Sequence, residues 1–245
     1  MTIIFRVETV AEIDSTNDTV KQRAADGAEE GLVLRAGRQL AGRGRRGRGW
    51  VSEPGNLYVS ILLRPAKTPI EAATLGFIAA MAIGNMLRAL LPVPVTLKWP
   101  NDVLVDGCKV SGILLESGGV SGGKVDWLVL GMGLNLRHHP SDTLYPTTDL
   151  KAAGGPDLVP AQALDLLLAE FQPLYECWLA GGFAALRDAW LAHGAGVGQP
   201  IVARLGPEEV AGVFAGIEPD GTLALMLPNG ETRRIAAGDI FFAAA

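Results

Sequence analysis

The sequence predicts a domain of mixed strands and helices running to about residue 195, then a small five-stranded β-barrel of the SH3 type over 196–245. Three observations carry that division. Up to residue 191, short runs rich in β-branched and aromatic residues are interspersed with longer stretches of helical period. After Gly198 that period stops, and the remaining apolar runs are short. These runs are split by Pro219-Asp220-Gly221 and Pro228-Asn229-Gly230, whose Asp-Gly and Asn-Gly pairs tolerate the positive φ of tight hairpin turns. At 245 residues the chain is long enough to bury a sizeable core and carry a small appendage.

Taken in order, residues 13–23, IDSTNDTVKQR, read as a loop entering a helix, with Ser15, Thr16 and Asn17 all suited to the N-cap. GLVLRAGRQ, 31–39, is an apolar strand running into a glycine-rich stretch, and NLYVSILLRP, 56–65, is a strand closed by Pro65. Pro69 and Glu71 open a long helix to about Leu91. Its apolar run is interrupted by Thr74, Gly76 and Asn85, which predicts a buried helix and no membrane span. VPVTLKWPND, 93–102, is a strand broken at Trp99-Pro100, because proline brings no N–H to the ladder. KVSGILLES and DWLVLGMGLNL are two further strands, the second ending in a Gly-x-Gly turn. Leu164, Leu167, Leu168, Phe171, Leu174, Tyr175 and Trp178 recur at helical spacing and predict a core stripe, with a second helix over 183–191 after it. QPIVARL, EVAGVFAGIE, TLALML and TRRIAAGDI supply the strands of the barrel.

Charge and cysteine usage narrow the function. A formal net charge of -5 argues against a general nucleic-acid binder, and the basic residues are concentrated in one place. Cys108 and Cys177 have no metal-ligand spacing and predict a reducing, cytoplasmic setting. The opening MTIIFRVETVAEID is too short and too charged for a signal peptide. His138, His139 and His193 stand beside no serine or cysteine motif, so no nucleophilic triad is expected.

The concentrated charge is GRGRRGRGW, 42–50, with four arginines in six positions. Its glycines match G-x-G-x-x-G, but the chain continues into VSEPGN, which has no helical period, and LLRPAK stands where a ribose-binding acid belongs. A phosphate-backbone groove would need an extended basic face, which an acidic chain with one cluster lacks. Glycine allows close backbone approach, and guanidinium groups grip phosphate or carboxylate in bidentate fashion. The stretch therefore predicts a loop folding over a small, anionic, phosphorylated ligand, self-repelling and mobile until that ligand arrives.

DSTND at 14–18, GRQLAGRGRRGRGW at 37–50, LKWPNDV at 97–103, KVSGILLE at 109–116 and GMGLNL at 131–136 occur in that order. Together they resemble the catalytic core of the biotin protein ligases, and the resemblance spans nearly the whole chain. It implies an α+β fold, a mixed sheet with packed helices of the class II synthetase-like biotin/lipoate ligase kind, joined to the SH3-like barrel. It also implies a reaction: ATP and Mg²⁺ activate biotin as biotinyl-5'-AMP, which is passed to a lysine of the biotin carboxyl carrier protein domain of acetyl-CoA carboxylase or a related carboxylase. By resemblance, Ser15, Thr16, Asn17 and Gln39 line the biotin pocket, and Arg43, Gly44 and Arg45 close over biotin and the adenylate phosphate. Arg48 and Lys98 face the ATP phosphates, Asn101, Asp102 and Asn135 bind nucleotide, and Asp102 holds the metal. Lys109 meets the biotin carboxylate, Gly112 lets backbone lie against biotin, and Trp50 clamps it. Lys109, Arg45, Arg48 and Lys98 are then the catalytic set. Read without the resemblance, Ser15-Thr16-Asn17 is a helix cap, Gln39 and Lys98 are surface residues, Trp50 is packing, Asn101, Asp102 and Asn135 are turn residues, and Gly112 marks a bulge. Fourteen residues precede Ser15, too few for the DNA-binding module some members carry, so no DNA partner is expected. The rival readings are a lipoate or octanoate ligase of the same fold and a biotin binder without turnover.

Overall fold

A computed structural model of the chain describes residues 2–143 and 145–242. Seven strands form its larger sheet: β1 (Arg6–Ile13), β2 (Leu32–Gln39), β3 (Leu57–Leu63), β4 (Val95–Lys98), β5 (Asp102–Val105), β6 (Cys108–Ser121) and β7 (Lys124–Leu134). Their order is β1-β2-β3-β7-β6-β5-β4. Only β1 and β2 pair in parallel, joined by helix α1 (Thr16–Ala25) as the crossover; the other neighbours are antiparallel. The expected mixed sheet is therefore present, and it is mostly antiparallel. β1 was not among the expected strands because it is an exposed edge without apolar alternation. The break at Trp99-Pro100 is a hairpin: Lys98 pairs with Asp102, and β5 returns along β4.

Each strand divides its residues between two faces. Leu57, Val59, Ile61 and Leu63 of β3 join Leu128, Leu130, Met132 and Leu134 of β7 in the main core. Helices α3 (Leu75–Leu90) and α4 (Pro160–Gly181) cover that face. On the opposite face Leu34, Leu62 and Val129 pack under Val20 and Ala24 of α1. The helix expected over 69–91 is two helices, α2 (Pro69–Ala73) and α3, parted at Thr74. Thr74 Oγ1 donates to the Glu71 carbonyl and accepts the buried Trp178 indole N–H at 2.8 Å, so its hydroxyl serves a partner on α4. The stretch 69–90 is long and apolar enough to cross a membrane, yet 78% of its most apolar window is buried inside the fold. The helix expected over 183–191 shortens to a 3-10 turn at Phe183–Ala185 and the brief α5 (Arg187–Leu191).

The C-terminal part is a five-stranded antiparallel sheet of β8 (Pro200–Leu205), β9 (Glu208–Ile217), β10 (Leu223–Met226), β11 (Thr232–Ile235) and β12 (Asp239–Phe242), ordered β11-β10-β9-β8-β12. The run expected as one strand, TRRIAAGDI, is divided between β11 and β12. Ile201, Phe214, Leu223, Leu225 and Ile240 belong to the same core as the larger sheet. A direct tie also joins the two parts: the buried Trp99 indole N–H donates to the Gly221 carbonyl at 3.1 Å. Gly221 itself lies in the turn between β9 and β10, with φ of 84°.

Candidate active site

Glycine sets the floor of a cleft of about 360 Å³. Register pairs Gly112 with Gly133, and Gly131 with both Leu114 and Ser60, so these residues share the face that α1 only partly covers. A Cβ on Gly131 would fall 2.1 Å from Asn17 Oδ1. One on Gly133 or Gly112 would meet the Trp50 ring at 2.5 or 2.8 Å. The sheet surface is thus hollowed where an amide and an indole press against it. The group seated on Gly112 is Trp50 itself.

The head of the cleft is polar and closed. Ser15 caps α1, accepting from the Asp18 N–H, which leaves Thr16 and Asn17 free of the capping role. Both are buried (4% exposed each) and their side chains bond elsewhere. The Thr16 N–H and hydroxyl both donate to Gln39 Oε1, at 2.9 and 3.1 Å. The buried Ser60 hydroxyl lies 2.8 Å from Thr16 Oγ1 and 2.6 Å from Asn17 Oδ1. Asn17 Nδ2 donates to Glu116 Oε2 at 2.9 Å. Gln39 Nε2 reaches Ser52 Oγ at 3.2 Å, and that hydroxyl donates to the Trp50 carbonyl, which ties the head to the root of the arginine loop.

The loop is folded over the cleft. Arg43 bridges Gly49, the Gly44 N–H donates to the Arg48 carbonyl at 2.7 Å, and the Trp50 N–H to the Gly42 carbonyl at 2.9 Å. Its tip is a 3-10 turn at Arg45–Gly47 in which Arg46 has φ of 54°, a left-handed conformation uncommon for a residue other than glycine. The expected self-repulsion is offset because every arginine has an acceptor. Arg43 Nη2 contacts Asp18 at 2.6 Å and Glu116 at 2.8 Å, and Arg45 donates to Asn101 Oδ1 at 2.9 Å. Arg46 and Arg48 both reach Asp239 of β12, at 3.4 and 3.3 Å. The Trp50 ring lies between loop and floor, its buried indole N–H without a partner among the described residues.

Positive charge gathers at the other end. Lys109 Nζ sits 2.6 Å from Asp102 Oδ1 and 5.7 Å from the Trp50 ring centroid. Lys98 is 7% exposed and carries its ammonium 4.0 Å above the Tyr145 ring, with the Phe241 and Phe242 rings at 5.7 and 5.5 Å. Burial pulls its pKa below the ordinary lysine value, against the attraction of Asp102. Burial likewise lowers Arg45, although Asp239 and Asp102 oppose it. Arg45 and Lys109 line the cavity and Lys98 backs its Tyr145 wall, and positive charge so gathered suits an anion with several charges. Asn135 is buried and its side-chain N–H donates to the Thr148 carbonyl. Among the described residues no three carboxylates, histidines or cysteines come together as a metal cluster.

The cleft lining includes Ser15, Thr16, Asn17, Gln39, Arg43, Gly44, Arg45, Arg48, Trp50, Asn101, Asp102, Lys109, Gly112 and Asn135, which are all the residues expected from sequence except Lys98. Lys98 lies behind the wall, under Tyr145. Sequence reasoning missed Ser60 at the head and Glu116 behind it, Asp18 and Asp239 beneath the loop, and Tyr145 in the wall. Glu116 stood inside the quoted KVSGILLE, and its strand parity with Leu114 and Gly112 was the available signal. For Tyr145 and Asp239 no local pattern existed.

Residues 10–135 match the biotin/lipoate A/B protein ligase family, and residues 196–243 match the biotin protein ligase C terminal domain. The chain is 41% identical over 244 residues to a biotin--[acetyl-CoA-carboxylase] ligase of Paracoccus denitrificans, covering 95% of this chain and 99% of that one. It is 33% identical to an enzyme of the same description from Mycobacterium tuberculosis, covering 96% of this chain and 88% of that one. Among solved structures, biotin protein ligase from Aquifex aeolicus in complex with biotin and ATP superposes with a TM-score of 0.82 at 27% identity, over 97% of this chain and 98% of that one.

Proposed function

The chain belongs to the biotin/lipoate A/B protein ligase family and is an ATP-dependent biotin ligase, and we propose that the glycine-floored cleft under the arginine loop is where it makes biotinyl-5'-AMP before passing biotin to a carrier lysine. The observation that carries the assignment is polarity along the cleft: an uncharged, hydrogen-bonded head at Thr16, Asn17 and Gln39, and a cationic end at Arg45, Arg48 and Lys109, with Lys98 behind its Tyr145 wall. A neutral ureido ring with a carboxylate tail has that same polarity, and the tail would meet the triphosphate at the cationic end.

In the first step a biotin carboxylate oxygen attacks the α-phosphorus of ATP, an O–P bond forms, and the bond to pyrophosphate breaks with its electrons leaving on oxygen. Both reactants are anions, so the cost is charge repulsion and alignment. Lys109 would hold the carboxylate, released from Asp102 as the anion arrives; Arg45 and Lys98 would take charge building on the phosphates, and Arg48 would exchange Asp239 for pyrophosphate. In the second step a carrier lysine amine attacks the anhydride carbonyl, AMP departs with the electron pair, and the amine proton is lost to solvent. Until then the loop and Trp50 exclude water. Asp102, with Asn101 beside it, would hold Mg²⁺; a single carboxylate suits an ion that keeps waters and phosphate oxygens as its other ligands. When bound, the ion screens phosphate charge. We take 1–195 as the biotin- and ATP-binding part and 196–245 as its C-terminal companion, acting in the cytoplasm with Cys108 and Cys177 unpaired.

The decisive experiment is ATP–pyrophosphate exchange by the full chain with biotin or with lipoate as the acid. Exchange that depends on biotin, with subsequent transfer to a carboxylase carrier domain, is expected. Exchange with lipoate alone would transfer the cleft to the rival acid, and binding of biotin without exchange would make the protein a sensor.

A further inference from the structure

Asn17 at the head of the cleft and Arg43 at the root of the loop meet on one atom. Glu116 Oε2 accepts from Asn17 Nδ2 at 2.9 Å and from Arg43 Nη2 at 2.8 Å. Its other oxygen accepts from Lys21 Nζ at 2.8 Å, and Asp18 Oδ1 closes the group with Arg43 at 2.6 Å and Lys21 at 3.0 Å. Two carboxylates and two cations thus form a ring, and the buried Asn17 amide is attached to it at Glu116. An isolated exposed ion pair contributes little, but a network anchored on a group 22% exposed and shared with a buried amide is a different case.

The position of each member gives the ring its consequence. Asn17 is turned so that Nδ2 faces Glu116, Oδ1 faces Ser60, and the amide lies on the hollow left by Gly131. Arg43 bridges Gly49 across the base of the loop, one residue before Trp50. Fixing the Arg43 guanidinium therefore fixes where the loop strand carrying Trp50 descends onto Gly112 and Gly133. Glu116 does not line the cleft.

We propose that Glu116 is a positioning residue for biotin ligation, coupling the geometry of the pocket head to closure of the arginine loop through a single carboxylate oxygen. The inference rests on the reading of this cleft as the site of biotinyl-5'-AMP formation. Occupation of the head holds Asn17 and hence Glu116 in place, which holds Arg43 and keeps the loop shut over the adenylate. Loss of the Glu116 charge leaves Arg43 and Lys21 to share Asp18, and the loop is released.

The test uses the full-length chain with Glu116→Gln, which keeps the size and removes the charge. Three quantities are read: kcat and KM for biotin in pyrophosphate exchange, the escape of labelled biotinyl-5'-AMP into solution, and trypsin cleavage within 43–48 in the presence of biotin and ATP. Losing a hydrogen bond to a charged group predicts a KM for biotin raised about tenfold or more. The fall in kcat should be smaller than the rise in KM, with faster escape of the adenylate and a cleavable loop in the bound state. A purely structural carboxylate would lower thermal stability without moving retention or protection, and that result overturns the proposal. So does a variant with the parent's KM and retention. If Glu116→Gln does not fold, Arg43→Gln breaks the same contact from the loop side; the same three changes are expected, and a protected, retentive loop again overturns the idea. Absence of biotin-dependent exchange in the unaltered protein would instead count against the site reading itself.

Discussion

The two faces of the large sheet are built from the same strands and do opposite work. One step along β3 separates Val59 and Ile61, in the helix-covered core, from Tyr58, Ser60 and Leu62 on the other side. One step along β7 separates Leu130 and Met132 from Gly131 and Gly133. The covered face is continuous hydrocarbon, filled by α3 and α4. The other is hydrocarbon only under α1, and then turns to glycine, hydroxyl and amide where the cleft begins. Alternation alone gives both faces; the choice of side chain at every second position divides stability from chemistry. On the covered face a substitution removes packing. On the cleft face it removes space or a bond made to a residue far away in sequence.

That contrast is open to direct attack. The largest effect is expected from Lys109→Ala, which removes a cation from the cleft without touching the covered face. Biotin-dependent exchange should fall by about two to three orders of magnitude, as for loss of one transition-state donor, while the melting temperature stays close to the parent's. A mutant with normal exchange would remove Lys109 from the site. Next in size is Leu130→Ala, one strand position from the cleft and fully buried. Denaturant titration should show a loss of about 3 kcal/mol with KM for biotin unchanged; a shift in KM instead would erase the division between the faces. Gly133→Ala sharpens the comparison from the other side. Its Cβ would stand 2.5 Å from the Trp50 ring, so the indole must lift. Weaker biotin affinity by about 1–3 kcal/mol, as for overpacking, and a changed tryptophan emission are expected, with calorimetry and fluorescence as the measurements.

The smallest effect is set by pH. Burial would raise the Glu116 pKa, but hydrogen bonds from Lys21 and Asn17 and the Arg43 charge outweigh it and hold the group below its ordinary 4.5. A carboxylate depressed by the fold contributes above its ordinary value and loses that contribution as pH falls through the lower folded one. Loop closure should therefore be flat near neutrality and fade only below about pH 4.5. Trp50 emission across an acid titration should show this step in the parent and lack it in Glu116→Gln.

Much of the site was legible because its parts are written in short runs: a glycine-arginine repeat at 42–50 and a proline hairpin at 98–102 carry their own geometry. Thr16 and Asn17 looked like caps, since cap residues and pocket residues have the same chemistry until the partners are known. What stayed hidden depends on register. Ser60 meets Asn17 over a separation of 43 residues and Glu116 meets it over 99; strand parity puts Glu116 on the cleft side, but nothing local names Asn17 as the partner of either. The division of α2 from α3 was missed for a related reason, because the hydroxyl of Thr74 answers an indole on α4. In the C-terminal part the Asp-Gly and Asn-Gly turns were read from residue chemistry. Its bonds to Arg46, Arg48 and Trp99 were not.

The indole of Trp99, capped by the Gly221 carbonyl, decides how the polypeptide can be divided. Trimming after residue 195 would bare that buried indole to water, strip the Phe241 and Phe242 rings from Lys98, and leave Arg46 and Arg48 with no Asp239. A shortened protein would keep Thr16, Asn17 and Gln39 at the head of the cleft but lose these supports at its cationic end. The small sheet lines none of the cleft itself; it braces the arginine loop and Lys98 from behind, and a cut at that seam removes the brace.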